Sequence, residues 1–355
     1  MPTRDFWSGQ RVFLTGHTGF KGSWTARWLS RMGAVQTGYA RAPETDPALF
    51  PQLEIPGLTS VIGDICDPAP LNAAVKGCDP TIAIHMAAQP LVRLSYREPA
   101  ETYATNVMGT LNVLEALRHN APNLKAVMVI TTDKVYRNDN SGHAFKEDDP
   151  LGGHDPYSSS KAACEEVVSC YRQSYFDEAG IPLAAARAGN VVGGGDWSED
   201  RLVPDIWRAM MRGEAVVLRN PASVRPWQHV LDPVSGYLDY VEAIATGAWA
   251  DQPRALNFAP AAASPMTVQE VTETLGAAMD LDKPWELAEG AQPVEMKLLT
   301  LDASLAGRTI GWRPQLTGRQ AVEWTADWIK QTRSGTSAQD AVDAQIDQYE
   351  ALLKA

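Results

Sequence analysis

The chain has 355 residues, and its 43 acidic side chains outnumber its 31 Lys and Arg side chains to give a formal net charge of −12. This charge argues against nonspecific binding to nucleic acid or to an anionic membrane, although a local basic pocket can still bind a phosphorylated ligand. Residues 1–10 lack the apolar core of a signal peptide, and no apolar run reaches about 18 residues. We therefore expect a cytoplasmic protein without a membrane span.

The cysteines offer no obvious metal or redox motif. They form neither a CxxC pair nor a cluster with histidine, so we expect reduced structural thiols and no metal site. They are Cys66, Cys78, Cys164 and Cys170.

A glycine-rich turn follows the first predicted strand, Arg11–Thr15, and precedes a predicted helix. This strand–turn–helix context makes the spacing G-x-x-G-x-x-G credible as a dinucleotide site rather than a plain loop. Gly16 allows the tight turn, Gly19 lets the backbone approach a pyrophosphate, and Gly22 lets the helix pack on the strand. The N-terminus of the helix then faces the phosphates. The candidate cofactor contacts here are Gly16, Thr18, Gly19, Phe20 and Gly22.

The second and third predicted strands leave the choice of dinucleotide open. Val35–Ala40 is expected to end in an acid that binds the ribose of NAD, but Arg41 follows instead. Arg41 is either a contact for the 2′-phosphate of NADP or a solvated loop residue. In the third strand, Val61–Ile65, Asp64 and its neighbour Ile65 are placed to meet an adenine, with an exposed turn Asp as the alternative.

The fourth predicted strand, Thr81–Ala88, ends in Ala87 and Ala88, whose small side chains leave room for a cofactor ribose. Gln89 begins the next loop and is a candidate substrate contact. A long helix is predicted over residues 101–117. Within it, Asn106 either supports the catalytic residues through water or lies on the helix surface.

Polar side chains follow the fifth predicted strand, Val127–Ile130. In open α/β sheets the chemistry is placed at such strand ends. Thr132 supplies a hydroxyl, and Asp133 and Lys134 supply two titratable groups that simple alcohol oxidation does not need. They therefore indicate a further chemical step.

Tyr157 and Lys161 stand four positions apart, so both lie on one face of the helix predicted over residues 157–175. A nearby ammonium favours the phenolate, which can then accept a proton near neutral pH. With Thr132, this pair forms the proton half of a hydride-transfer site.

The sixth predicted strand, Leu183–Arg187, leads into three consecutive glycines, which we expect to form a flexible segment that leaves the sheet. Basic residues then concentrate, and Arg binds phosphate bidentately. We interpret Arg208 and Arg212 as an ordinary helix face. The candidate substrate contacts are Asn190, Arg201, Arg219, Arg225 and His229.

Alternating strands and helices predict an α/β fold with a doubly wound parallel sheet of Rossmann type and a smaller C-terminal substrate-binding lobe. We expect the dinucleotide-binding domain to span residues 1–187 plus about 221–257. The second lobe then takes about 188–220 plus 258–355.

The motifs together resemble the extended short-chain dehydrogenase/reductase family, whose members act on nucleotide sugars. The resemblance narrows to the CDP-glucose 4,6-dehydratases and covers residues 11 to about 240. The motifs are GHTGFKGSW at 16–24, HMAAQPLVR at 85–93, TNVMGT at 105–110, GGHDPYSSSK at 152–161, ARAGNVVGGGDW at 186–197 and RPWQHVL at 225–231. Lys134 stands where the related dTDP-glucose and GDP-mannose dehydratases carry Glu, and Asp-Lys is typical of the CDP-glucose type.

This resemblance implies NAD as cofactor and CDP-glucose as substrate. Tyr157 would take the proton of the sugar 4-hydroxyl, with Lys161 holding the nicotinamide ribose and Thr132 bonding the 4-oxygen. Asp133 would protonate the leaving 6-hydroxyl. Lys134 would be either the base at C5, provided that it is neutral, or a cation that stabilises the enolate or pairs with Asp133.

The resemblance also implies a homodimer in which the helices predicted over 101–117 and 157–175 pack across a two-fold axis. Two alternatives remain open. A nucleotide-sugar epimerase shares the glycine motif and the Tyr–Lys pair, and a non-catalytic dinucleotide-binding protein needs neither Thr132 nor Tyr157.

Overall fold

The computed structural model describes residues 1–247, 253–260, 266–281, 284–288 and 299–355. In this part of the chain, seven parallel strands form one sheet in the order β3-β2-β1-β4-β5-β6-β7. The order reverses between β1 and β4, which is where doubly wound sheets bind ligands. The Rossmann-type prediction is confirmed. The strands are β1 (Arg11–Thr15), β2 (Val35–Ala40), β3 (Leu58–Ile62), β4 (Ile82–His85), β5 (Ala126–Ile130), β6 (Leu183–Ala188) and β7 (Ala255–Phe258).

The strand predictions are right to within one or two residues except at two strands. β3 begins and ends three residues earlier than predicted, and β4 ends at His85 rather than at Ala88. Gly63 lies against Tyr39, and a Cβ at this position would come within 2.4 Å of the Tyr39 hydroxyl. The carboxylate of Asp64 then accepts a hydrogen bond from the Cys66 amide at 2.8 Å, which starts a turn. Local turn chemistry therefore ends the strand before Asp64.

Helices cover both faces of the sheet and build the second lobe. The helix predicted over 101–117 is α5 and α6 joined by a π-helical segment, Ala104–Gly109, and α7 likewise continues into a π-helical segment, Arg172–Phe176. The helices are α1 (Arg4–Trp7), α2 (Phe20–Arg31), α3 (Pro68–Cys78), α4 (Val92–Arg97), α5 (Pro99–Tyr103), α6 (Thr110–Asn120), α7 (Pro156–Tyr171), α8 (Leu202–Met211), α9 (Leu231–Ala245), α10 (Val268–Ala278), α11 (Ser304–Ile310), α12 (Gly318–Arg333) and α13 (Ala338–Lys354).

The three consecutive glycines after β6 are buried and tightly packed, so the prediction of a flexible segment is wrong. A Cβ at Gly194 would lie 2.0 Å from the ring of Trp328. The Trp24 indole donates to the Gly194 carbonyl at 3.0 Å. Glycine is required here because two tryptophan-bearing helices, α2 and α12, approach the backbone closely.

The C-terminal helix α13 packs on the sheet lobe through polar contacts. Arg27 on α2 donates to Asp343 at 2.5 and 2.8 Å, and the hydroxyl of Tyr349 donates to Asp232 on α9 at 2.7 Å. The predicted lobe boundaries stay a prediction, since one hydrophobic core runs through residues from both lobes.

Within the described ranges, no helix is long and apolar enough to cross a membrane. The four cysteines are free, with Cys164 buried and Cys66 and Cys170 exposed. Among the same residues, no group of three or more His, Cys, Asp or Glu side chains could hold a metal ion.

Candidate active site

The glycine turn between β1 and α2 forms a cradle that fits a pyrophosphate. Gly16 has φ +77°, and a Cβ there would lie 2.7 Å from the Ala87 amide nitrogen. A Cβ at Gly22 would lie 2.0 Å from the Gly16 carbonyl oxygen. Gly19 is exposed and caps α2 without a side chain, so the amides of the first turn stay open to an anion. Gly16 and Gly22 therefore let the turn pack against the end of β4 and against α2, while Gly19 leaves the amides of α2 open.

Two other residues of this turn hold the edges of the cradle. The Thr18 hydroxyl donates to the Arg41 carbonyl at 2.8 Å and ties the turn to the end of β2. The ring of Phe20 lies against Gly193, where a Cβ would come within 3.1 Å of it.

The Arg41 guanidinium is engaged by carboxylates. It pairs with Glu101 at 3.0 Å and with Glu44. Its charge is therefore already balanced at the surface, which favours the solvated-loop interpretation over a contact with a 2′-phosphate.

Asp64 and Ile65, which were predicted to contact an adenine, differ in their surroundings. Asp64 is half-buried, and its carboxylate caps the turn at Cys66. The Ile65 side chain is buried against Gly109, where a Cβ would lie 2.5 Å away, so this side chain serves the core rather than a ligand. The Ile65 carbonyl accepts a hydrogen bond from Asn112 at 3.0 Å. A contact between the Ile65 backbone and the cofactor stays a prediction.

Asn106 joins the loop after β4 to helix α7. It is 1% exposed, which rules out the surface interpretation. Its amide accepts from the Gln89 amide nitrogen at 2.8 Å and donates to the Ser160 hydroxyl at 2.9 Å. Ala87 and Ala88 lie half-buried beside the glycine turn.

The Gln89 side chain makes hydrogen bonds to neighbouring residues of the chain. It donates to the Thr102 hydroxyl at 2.8 Å and accepts from the Leu91 amide at 2.5 Å. Each end of the buried amide makes one hydrogen bond, so Gln89 shapes the loop. Its role as a substrate contact stays a prediction.

The tip of β5 presents a compact polar group. The Thr132 hydroxyl donates to Asp133 Oδ1 at 2.9 Å, and Lys134 Nζ lies 3.3 Å from the same oxygen. Asp133 is 2% exposed and lies against Gly189, where a Cβ would be 2.0 Å from Oδ2. The Asp133 carboxylate raises the pKa of Lys134, so this lysine is an ammonium at neutral pH.

Helix α7 delivers Tyr157 and Lys161 to this tip. Asp155 caps the helix by accepting from the Ser158 amide at 2.9 Å, and Pro156 occupies its first position. The Lys161 Nζ donates to the Ile130 carbonyl at 3.1 Å, at the last residue of β5. Tyr157 and Lys161 are both buried, so the helix and the strand end converge on one small cleft.

A buried ion pair behind the tip was missed from the sequence. Arg187, in β6, donates to Glu165 at 2.8 and 2.6 Å, and Thr131 donates to the same carboxylate at 2.6 Å. Glu165 stands four positions after Lys161 on α7, and that spacing was the available signal. The pair fixes the strand end on which Thr132 is mounted.

The predicted substrate contacts are not all at the cleft. Asn190 has φ +51° and directly follows Gly189, which touches Asp133. Arg201 donates to Asp196 at 2.9 Å, and its charge interacts with Tyr157. Arg219 is exposed after the short strand Val216–Leu218, and Arg225 is half-buried.

His229 is a core residue, which corrects its prediction as a substrate contact. It is fully buried and packs edge-on against Trp24 and Trp324, with ring centroids 5.9 and 5.5 Å away. Burial lowers its pKa to about 3, so the ring is neutral and offers no charge to a diphosphate.

Lys21, inside the glycine turn, is a second residue that motif reading passed over. Its amine lies 5.9 Å from the ring centroid of Tyr237, and its charge interacts with Lys161, Arg201, Asp133 and Asp196. It belongs to the same cleft as the tip of β5.

Comparisons with known proteins agree with this geometry. The family model for GDP-mannose 4,6 dehydratase matches residues 13–325. A CDP-glucose 4,6-dehydratase of Salmonella typhimurium is 44% identical over 340 residues, which are 93% of this chain and 94% of that protein. A dTDP-glucose 4,6-dehydratase of Streptomyces griseus is 28% identical over 91% of this chain and 95% of its own length.

Solved structures share the fold at lower identity. The epimerase Mth375 of Methanothermobacter thermautotrophicus aligns with a TM-score of 0.80 at 21% identity, covering 93% of this chain and 96% of its own. A dTDP-glucose 4,6-dehydratase of Streptomyces venezuelae, solved with NAD bound, aligns with a TM-score of 0.76 at 24% identity, covering 91% and 98%. The chain therefore belongs to the GDP-mannose 4,6-dehydratase family of extended short-chain dehydrogenases/reductases.

Proposed function

We propose that this chain is an NAD-dependent CDP-glucose 4,6-dehydratase, which converts CDP-glucose to CDP-4-dehydro-6-deoxyglucose and water. The observation that carries the proposal is the buried Asp133–Lys134 pair at the cleft that Tyr157 and Lys161 also enter. Alcohol oxidation does not need that pair, whereas elimination of water does. The 44% identity to a CDP-glucose 4,6-dehydratase over nearly the whole chain supports the same substrate.

The cradle supports NAD as the cofactor. The open backbone amides in the first turn of α2 would hold the pyrophosphate, and Lys161 would bind the nicotinamide ribose. The carboxylates that engage Arg41 favour NAD over NADP. NAD, when bound, supplies an acceptor for the hydride from C4 and returns that hydride to C6, so turnover consumes no reductant.

The side chains at the tip of β5 and on α7 would each carry out a different step of the proton transfers. Tyr157 accepts the proton of the 4-hydroxyl, and Lys161 is anchored beside it on the Ile130 carbonyl. Thr132 bonds the 4-oxygen. The resulting ketone acidifies the hydrogen on C5. Asp133, after taking up a proton from solvent, protonates the leaving 6-hydroxyl. Lys134, held as an ammonium, stabilises the negative charge of the enolate.

Arginines of the second lobe would bind the substrate diphosphate. Arg201 lies inside the cleft against Asp196, while Arg219 and Arg225 flank the segment between two short strands. Arg forms bidentate hydrogen bonds with phosphate oxygens, which suits a diphosphate that must be held while the sugar reacts. Asn190 would contact the sugar from the loop after β6.

We also infer a homodimer through the α5–α6 and α7 helices. Tyr103 and Met108 on the first of these, and Tyr175 after the second, leave large apolar side chains exposed. Burying them between two copies would give a symmetric, apolar interface. Sedimentation equilibrium tests this, and a monomer at micromolar concentration would contradict it. Location in the cytoplasm stays a prediction.

The second candidate function is that of a nucleotide-sugar epimerase, and the alignment with the epimerase Mth375 supports it. Incubation with CDP-glucose in deuterated water separates the two. The dehydratase proposal predicts a product that has lost one water and gained deuterium at C5. An epimerase would keep the 6-hydroxyl, and a non-catalytic binding protein would return the substrate unchanged.

A further inference from the structure

Three lysine side chains surround the tip of β5, and two of them are held by hydrogen bonds. Lys134 Nζ lies 3.3 Å from Asp133 Oδ1, and Lys161 Nζ donates to the Ile130 carbonyl at 3.1 Å. The amine of the third, Lys21, makes no hydrogen bond within the described residues. Only this amine is therefore free to meet a ligand without first breaking a contact of that kind.

The position of Lys21 directs it into the cleft. It is the second residue of α2, inside the glycine turn, and its Nζ lies 5.9 Å from the ring centroid of Tyr237 on α9. Tyr237 is fully buried, and its hydroxyl has no hydrogen-bond partner. The amine thus lies between the cofactor cradle and the buried ring of Tyr237.

Charged groups face Lys21 from three further elements. Asp133 comes from the tip of β5, Lys161 from α7, and Asp196 and Arg201 from the segment between β6 and α8. Both carboxylates already have a cationic partner, since Asp133 is paired with Lys134 and Asp196 with Arg201. The cluster therefore holds little negative charge to stabilise one more ammonium.

Lys21 and Lys134 consequently differ in charge. Burial, with Arg201 and Lys161 adding to it, lowers the pKa of Lys21 to about 7. The contact with Asp133 raises the pKa of Lys134. At neutral pH a large share of Lys21 is a neutral amine with a lone pair, whereas Lys134 is a fixed cation.

We propose that Lys21 is the catalytic base that accepts the C5 proton during the elimination, while Lys134 acts only as a cation. The assignment rests on the proposed dehydratase function. The Lys21 amine forms an N–H bond as the C5–H bond breaks, and the electron pair moves into the enolate of the 4-ketone. The enolate then forms the C5–C6 double bond and expels the 6-hydroxyl. It leaves as water with a proton that Asp133, a carboxylate in the resting site, has taken up from solvent before this step.

The proton inventory closes at the end of the cycle. Lys21 gives its proton, exchanged or not with solvent, back to C5 when the hydride returns to C6. Tyr157 releases the proton of the 4-hydroxyl to solvent. Asp133 is again a carboxylate once it has protonated the leaving hydroxyl, so the proton taken from solvent balances the proton returned to it. Every side chain finishes in its starting state.

The test uses Lys21→Met and, as a matched control, Lys76→Met on the exposed face of α3. Two half-reactions are followed in deuterated water: the absorbance of the reduced nicotinamide, and exchange at C5. A general base is worth about 10² to 10⁴ in rate. We expect Lys21→Met to oxidise the sugar and lose C5 exchange by at least about 100-fold, and the control to behave as wild type. C5 exchange at the wild-type rate in Lys21→Met would overturn the assignment.

Lys21 also lies in the cofactor cradle, so a second variant separates chemistry from binding. Lys21→Ala is assayed with added small primary amines after its bound NAD has been quantified. A base role predicts rescue of C5 exchange that grows with the basicity of the amine. A merely structural role predicts no rescue in protein that retains NAD, which would contradict the proposal.

The two proposals fail separately. If the wild-type protein removes no water from CDP-glucose, the proposed function fails. If it does so and Lys21→Met still exchanges C5 normally, only the Lys21 assignment fails.

Discussion

Lys134 Nζ and Asp133 Oδ1 lie 3.3 Å apart at the tip of β5, and this contact holds Lys134 in its charged form. Because the carboxylate favours the ammonium, it removes the condition under which Lys134 can act as a base. The structure therefore favours the stabilising role over the basic one, between which the sequence alone left an open choice.

The first prediction compares Lys134→Arg with Lys134→Met. A guanidinium stays protonated in proteins and is no base, but it retains the positive charge. If Lys134 acts as a cation, we expect the Arg variant to keep activity within about tenfold of wild type and the Met variant to lose about 10² or more. Initial rates of dehydration measure both. Equal loss in the two variants would restore the base assignment.

The second prediction concerns Tyr157→Phe, which removes the proton acceptor while keeping the ring. We expect reduction of the bound nicotinamide to slow by about 10² to 10⁴, because the 4-hydroxyl proton then has no acceptor. NAD content should stay at the wild-type level. Stopped-flow absorbance after mixing with CDP-glucose measures the step, and a full-rate oxidation in this variant would remove Tyr157 from the mechanism.

The third prediction tests the packing behind Asp133. A Cβ introduced by Gly189→Ala would lie 2.0 Å from Asp133 Oδ2, so the carboxylate must move. We expect a loss of water elimination of about tenfold or more, since small displacements of catalytic groups are costly. Gly77→Ala on α3 is the control, because its Cβ would meet nothing within 4 Å. Similar activity in both variants would contradict this role for Gly189.

The fourth prediction is a pH dependence of stability from Asp232. This carboxyl is fully buried beneath α13, and burial raises its pKa to about 7 from the ordinary 3.8. The native state therefore binds the proton more tightly than the unfolded state, so the group's contribution to stability is present below about pH 4 and lost as the pH rises to about 7.

Asp232→Asn should flatten that loss, because an amide oxygen still accepts from Tyr349 and from the Gln315 amide nitrogen without ionising. Thermal unfolding between pH 5 and pH 8 (values chosen to bracket the raised pKa) measures the slope. An unchanged slope in the variant would show that Asp232 does not titrate in this range.

Much of the sheet could be predicted because its signals are local. Buried strands such as Ala126–Ile130 are continuous apolar runs, and the glycine turn has a spacing that few other structures require. The polar residues after β5 were found for the same reason, since parallel strands place their carboxyl ends at one edge.

The errors fall where distant segments meet. Nothing near His229 in sequence reveals that Trp24 and Trp324 enclose it. The glycines around Gly194 were taken as flexible, although a tryptophan more than 130 positions away explains them by close packing. Lys21 was given no role from the sequence, because its charged neighbours come from three other elements.

The most direct measurement is an incubation of the purified protein with CDP-, dTDP-, UDP- and GDP-linked glucose, with and without added NAD, followed by mass spectrometry of the products. A CDP-glucose 4,6-dehydratase would remove one water from CDP-glucose alone, with no net consumption of NAD. Retention of the 6-hydroxyl in every nucleotide sugar would contradict it, and the Asp133–Lys134 pair would then need a different explanation.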